Sequence, residues 1–223
     1  MTSYPYRSNI ELITLYALGF IIGQIRRKHL YKILKTGIAI ILICVTSIFA
    51  YERFSEAKHI DGVEVIEGKF SSVEEIISLP QFQNKLVYVD LWHSSCSPCI
   101  EQMQHHLPTF KQAMKDANLE IEYLYLGKET SGPMSEQRWW NVIEKYNLKG
   151  WHYYMEKTEE KQFWKTIVPV LEEKGKRSYG YPQYLIAQSG KLIEYDAPYP
   201  EFLEEIKTFI LSQTNKNKRT FLK

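Results

Sequence analysis

Two cysteines three residues apart, in Cys96-Ser97-Pro98-Cys99, are the side chains of this 223-residue chain best spaced for chemistry. A C-x-x-C pair is either part of a metal site or a redox couple that opens and closes a disulfide. A structural zinc site needs four ligands, usually from a second C-x-x-C or a histidine pair. The one other cysteine, Cys44, lies in an apolar run. His105 and His106 follow Cys99 by six and seven residues. On a helix that is roughly 9–10 Å of rise, at about 1.5 Å per residue. They cannot join the same two thiolates in a tetrahedral site unless the helix breaks, and they read as a solvated helix face. His93, three residues before Cys96, leaves one metal reading open, because two thiolates and an imidazole suit Cu(I).

Redox chemistry requires a thiolate, since the thiol itself is a poor nucleophile. A cysteine at a helix N-terminus faces unpaired backbone N–H groups and the positive end of the helix dipole, which both favour the anion. Cys96 is expected in that place. Cys99, one turn later, is expected to be shielded yet near enough to pair with it. Pro98 suits the first turn, where its missing N–H costs nothing.

These positions follow from the elements around them. Lys85 to Trp92 (KLVYVDLW) is an apolar, β-rich run, as expected of a buried central strand. Ser97 to Ala117 is helical in composition, with a kink expected at Pro108. Gly62 to Glu67 and the alternating Leu119 to Leu126 read as further strands, and His152 to Met155 as a short one. Ser72-Val73-Glu74-Glu75 is a capping box that opens a short helix ended by Pro80. Met134 to Tyr146 and Glu159 to Lys174 read as helices. Gln183 to Ala187 and Lys191 to Tyr195 flank Ser189-Gly190 as a hairpin. Glu201 to Ser212 is an amphipathic closing helix, and Asn215 to Lys223 a polar, basic tail expected to fray. The fold class is therefore α/β from about residue 60, in three parts: 1–59, 60–213 and a tail at 214–223.

Composition agrees with a globular body. A hydrophobic fraction of 44% with 24% charged residues can bury a core, which excludes disorder and collagen-like structure. Three cysteines are too few for a disulfide-stapled miniprotein. Residues 1–59 carry 8 basic and 3 acidic side chains, whereas residues 60–223 carry 20 basic and 23 acidic. The excess positive charge thus lies beside apolar sequence, which points to a membrane and away from nucleic acid.

Two apolar runs carry that reading, Ile10 to Ile25 and Thr36 to Tyr51, separated by the basic Arg26 to Lys35. Each is a little short of the ~20 residues that span a bilayer. The second extends to Ile33 if Lys35 snorkels. It lacks a small-x-small cleavage site and reads as an uncleaved anchor. Ile43 is too bulky for a lipidated cysteine at Cys44. The first run reads as a second span or an interfacial helix. The basic loop is expected to stay cytoplasmic, so everything after about residue 55 is expected to be exported.

Val87-Tyr-Val-Asp-Leu-Trp-His-Ser-Ser-Cys-Ser-Pro-Cys99 resembles the active-site strand and turn of thioredoxin-like proteins. Tyr181-Pro182 resembles their cis-proline element. Lys145 to His152 and Tyr195 to Pro200 are similar to membrane-anchored TlpA/ResA-type oxidoreductases, and the resemblance covers residues 60–212. It implies a thioredoxin-like fold, a central mixed sheet flanked by helices, with a helical insertion. Three features depart from the pattern. Ser95 stands where many members have Trp, the helix proline falls at Pro108 and not at Gln104, and Lys128 to Ser178 is longer than in plain thioredoxin.

The resemblance implies roles. Cys96 attacks a substrate disulfide, Cys99 resolves the mixed disulfide, and Asp90 moves the proton of Cys99. Pro182, as a cis proline, presents a backbone edge to a partner strand. Trp92 and Tyr181 are expected to bind substrate at the contact surface, packing being the other role open to both. The expected activity is exported, membrane-anchored thiol–disulfide exchange, without cofactor or metal. The expected partners are protein thiols and disulfides and a membrane or periplasmic redox partner for recycling. The expected location is the inner membrane, with the domain on the periplasmic or extracellular side. The alternative is a copper or other metal-binding chaperone on the same fold.

Overall fold

The computed structural model describes residues 34–46 and 60–220, except 129, 133, 177 and 178, with side chains described to residue 213. The chain divides into two compact units, Met1–Lys58 and His59–Lys223. In the first, residues 34–46 form helix α1. Among the described residues no helix is long and apolar enough to cross a membrane. The expected run at 10–25 and the ends of that at 33–51 lie outside the described residues.

The second unit is built on a six-stranded sheet. Strands β1 (Val63–Val65), β2 (Leu86–Trp92), β3 (Ile121–Lys128), β4 (Gly150–Met155), β5 (Gln183–Gln188) and β6 (Lys191–Glu194) stand in the spatial order β1-β4-β3-β2-β5-β6. β1, β4, β3 and β2 run parallel, while β5 and β6 are antiparallel to their neighbours. The sheet is mixed, as expected. Ser189 and Gly190 both have positive φ, 49° and 77°, the backbone that a two-residue hairpin turn requires.

Helices cover both faces. Tyr88, Trp92, Cys96, Cys99, Phe110, Trp139 and Ile206 share one apolar cluster, while Val87, Val89, Leu91, Ile76, Phe163 and Ile167 share the other. The first cluster involves α3 (Ser97–Glu101), α4 (Leu107–Asp116), α5 (Ser135–Lys145) and α7 (Leu203–Thr220); the second involves α2 (Val73–Ile77) and α6 (Lys157–Glu173). β2 is buried along almost its whole length for this reason.

Several boundaries differ from expectation. The strict alternation read at 119–126 ends in β3 as a continuous buried run from Leu124 to Gly127, because both faces are covered. At α2 the Ser72 hydroxyl accepts from the Glu75 N–H at 3.3 Å. The Glu75 carboxylate, however, accepts from Ser71 and not from the cap residue. The expected kink at Pro108 is a π-helical turn at Gln102–His106, between α3 and α4. α7 continues to Thr220, through much of the tail expected to fray.

Candidate active site

β2 delivers the site. The chain leaves the sheet at Trp92 and turns through His93, Ser94 and Ser95, and the Cys96 N–H donates to the His93 carbonyl at 3.0 Å. Cys96 is the N-cap of α3, in extended backbone (φ −90°, ψ 101°), with Pro98 in the first turn. Its Sγ accepts from the Cys99 N–H at 3.2 Å. A helix N-terminus offers such donors to an electron-rich sulfur. Cys96 and Cys99 are joined by a disulfide, with Cα atoms 5.2 Å apart. Cys99 is fully buried, whereas Cys96 retains 5% exposure. A partner can therefore approach the pair from the Cys96 side.

Asp90 stands two residues before Trp92 on the same face of β2 and is 2% exposed. Burial pushes its pKa up to about 8, against the opposing pull of the Lys111 ammonium. One carboxyl oxygen is buried without a hydrogen-bond partner among the described residues. The same holds for the Tyr125 and Tyr184 hydroxyls and for His152 Nδ1. These four residues form one row across the sheet, because Asp90 is in register with both Tyr184 and Tyr125, and Tyr125 with His152. Burial holds the His152 pKa down to about 4. A buried acid that keeps its proton near neutrality can donate and accept it at modest cost.

The Tyr181–Pro182 peptide is cis. Pro182 is buried, and its carbonyl accepts from the Tyr199 hydroxyl at 3.3 Å. The Tyr181 ring stands edge-on to His93, with ring centroids 5.1 Å apart. This contact brings the proline loop to the loop that precedes Cys96.

One expectation needs correction. Trp92 is fully buried in the core beneath the site, so it takes the packing role and not a place on a contact surface. It points inward because Tyr88, Asp90 and Trp92 alternate onto the face that α3 and α4 cover. Its register partner Gly127 lets the Trp139 indole pack close by, where a Cβ would collide with the ring. His93 is the imidazole that the sequence offers for copper. His93 packs on Tyr181, and both active-site sulfurs are bound to each other. Among the described residues, no group of three or more His, Cys, Asp or Glu side chains could hold a metal ion. His105 is exposed and His106 half-buried.

A feature that no motif announced is the Glu160 carboxylate. Its Oε1 accepts from Lys128 Nζ at 2.9 Å, from the Tyr179 hydroxyl at 2.7 Å and from the Tyr181 hydroxyl at 2.8 Å. Trp164 Nε1 donates in turn to the Tyr181 hydroxyl at 3.0 Å. Burial raises the Glu160 pKa, but these donors together outweigh it and hold the acid below the ordinary range. The donors come from two separate segments, the end of β3 and the loop at 179–181, so spacing could not reveal them. A cleft of about 480 Å³ opens beside this group, with Ser95, the exposed neighbour of Cys96, in its wall.

No protein-family profile matches the chain, and no curated protein does. Solved structures do. The thioredoxin domain of a thiol-disulfide oxidoreductase from Bacteroides vulgatus is 21% identical, covering 59% of this chain and 84% of that one at a TM-score of 0.42. A thiol-disulfide oxidoreductase from Bacteroides fragilis is 16% identical over 60% and 87%, at 0.41. A secreted disulfide oxidoreductase of Mycobacterium tuberculosis is 11% identical over 57% and 84%, at 0.37.

Proposed function

We propose that the protein is a thioredoxin-like thiol–disulfide oxidoreductase of the membrane-anchored type, working on protein thiols and disulfides. The carrying observation is the Cys96–Cys99 disulfide at a helix start, with Cys96 toward the surface and Cys99 buried. In the reduced protein, the Cys96 thiolate attacks a substrate disulfide, forming a mixed disulfide and expelling one substrate thiolate. The Cys99 thiolate then attacks Cys96 Sγ, re-forms the internal disulfide and expels the second. Two electrons pass from the protein dithiol to the substrate, and the two thiol protons end on the substrate thiols. Asp90 takes up or gives the proton of Cys99. With a substrate dithiol the same steps run in reverse.

The anchor is the apolar stretch 33–51, with the basic loop 26–35 on the cytoplasmic side and the domain exported. Its support is the charge asymmetry between residues 1–59 and the rest. Recycling falls to a membrane or periplasmic redox partner.

The testing experiment equilibrates the full chain in thiol–disulfide buffers of graded potential and follows disulfide exchange with a model protein disulfide. A single two-electron transition is expected, with exchange abolished by Cys96→Ser. Exchange that survives this substitution would falsify the reading. For the topology, a reporter fused after Lys58 should be active only in the exported compartment.

A further inference from the structure

Tyr181 stands just before the cis Pro182, and its side chain is fastened at both the hydroxyl and the ring. The hydroxyl donates to Glu160 Oε1 at 2.8 Å and accepts from Trp164 Nε1 at 3.0 Å. Glu160 and Trp164 lie one turn apart on α6, so one face of a single helix supplies both partners. Lys128 Nζ, which also donates to Glu160 Oε1, lies 4.8 Å from the centre of the Tyr181 ring. The edge-on contact with His93 holds the ring from another direction. The His93 carbonyl in turn accepts from the Cys96 N–H at 3.0 Å. A continuous path of contacts therefore runs from the buried Glu160 through Tyr181 and His93 to Cys96.

Residues 179–182 belong to no helix or strand, so side-chain bonds take the place of a backbone ladder there. From this path we infer that Glu160 is a positioning residue for disulfide exchange: through the Tyr181 hydroxyl it fixes the Tyr181–Pro182 edge beside the Cys96 loop, where a partner polypeptide lies when the mixed disulfide forms. A hydrogen bond to an ionised acceptor is roughly twice as strong as a neutral one. An acceptor borne on a packed helix also cannot follow the loop if the loop drifts. This role rests on the oxidoreductase reading and adds to it a residue outside the cysteine pair and the proline loop.

The test uses the reduced full chain at pH 7, where the donors around Glu160 keep it ionised, with a model protein disulfide and a neutral small-molecule disulfide as substrates. The small disulfide needs Cys96 but no proline edge. Glu160→Gln keeps the size of the side chain and weakens the acceptor. It should raise KM for the protein disulfide about five- to tenfold with kcat little changed, while kcat/KM for the small disulfide stays within about twofold. Tyr181→Phe removes the same bond without changing any charge, and it should show the same selective loss. The double variant should be no worse than the more affected single one, because Glu160 acts through that hydroxyl. A double variant that falls by the product of the two single losses overturns the inference. So does an equal loss against both substrates, or no loss against either, and in each case the oxidoreductase reading stands. Should Glu160→Gln fail to fold, selective or equal loss in Tyr181→Phe decides the question. Exchange of the unaltered chain with neither substrate overturns both.

Discussion

Asp90 and Tyr184 are register partners across the antiparallel β2–β5 pair, and Tyr184 stands two residues after the cis Pro182. The buried acid and the proline loop are thus fixed to each other by the sheet ladder. The strand that holds Asp90 also ends at the loop into Cys96. Acid, cysteine pair and proline share one rigid support.

That burial makes stability pH-dependent. With a folded pKa of about 8, Asp90 keeps its proton where the unfolded chain, near its ordinary ~3.9, has lost it. The folded state then binds more protons, so stability falls as pH rises through this window, by up to about 1.4 kcal/mol per pH unit. His152, with its pKa near 4, acts in the opposite sense between about pH 4 and its ordinary 6.5. Lys111, which burial lowers to about 8, opposes Asp90 from near that pH upward, so the cleaner window is about pH 6.5 to 7.5. Denaturant unfolding there should give a falling stability for the native chain and a flatter one for Asp90→Asn. A slope unchanged by the substitution would remove Asp90 from this role.

The two cysteines should differ in reactivity. In the reduced protein, Cys96 should alkylate on the order of tenfold faster than the fully buried Cys99. Cys99→Ala should accumulate mixed disulfides, and Cys96→Ala should not. Mass-spectrometric timing of alkylation decides it, and equal rates would reject the assigned order of attack.

Loss of the Glu160 carboxylate should leave Lys128, Tyr179 and Tyr181 short of an acceptor. Glu160→Ala is expected to cost about 1.5–3 kcal/mol, the range for bonds to a charged group. Because the folded pKa is lowered, the contribution of ionised Glu160 is present above the ordinary ~4.3 and fades as pH falls through the folded value. Chemical unfolding of Glu160→Ala and wild type at pH 7 and pH 3 checks both parts. A loss at pH 3 as large as at pH 7 would contradict them.

Gly127→Ala is expected to destabilise by about 1–3 kcal/mol, since the added methyl meets the Trp139 ring where space is already filled. A shift in Trp fluorescence should accompany it. A neutral effect on the unfolding midpoint would show that the indole moves aside freely.

The sequence made some of this readable and hid the rest for physical reasons. Leu86–Trp92 was legible because a strand covered on both faces must be apolar throughout. The turn at Ser189-Gly190 was legible because positive φ restricts residue choice. β3 was legible as a strand, but its alternation in residue type hid the continuous buried run from Leu124 to Gly127. Trp92 was assigned to a surface by its place in a motif, whereas the parity of β2 turned it inward. The Glu160 group was invisible, since its partners lie 32, 19 and 21 residues away in sequence.

The two outermost strands are short. β1 has three residues and β6 four, and the pairing of β6 with β5 is irregular between Ile186 and Ala187. A long flat border would invite edge-to-edge association with any extended chain, including another copy of this one. These truncated, broken borders give such a chain little backbone to grip. The proposed exchange with protein thiols would bring such extended chains close to the sheet. This sheet is built to resist being lengthened by them.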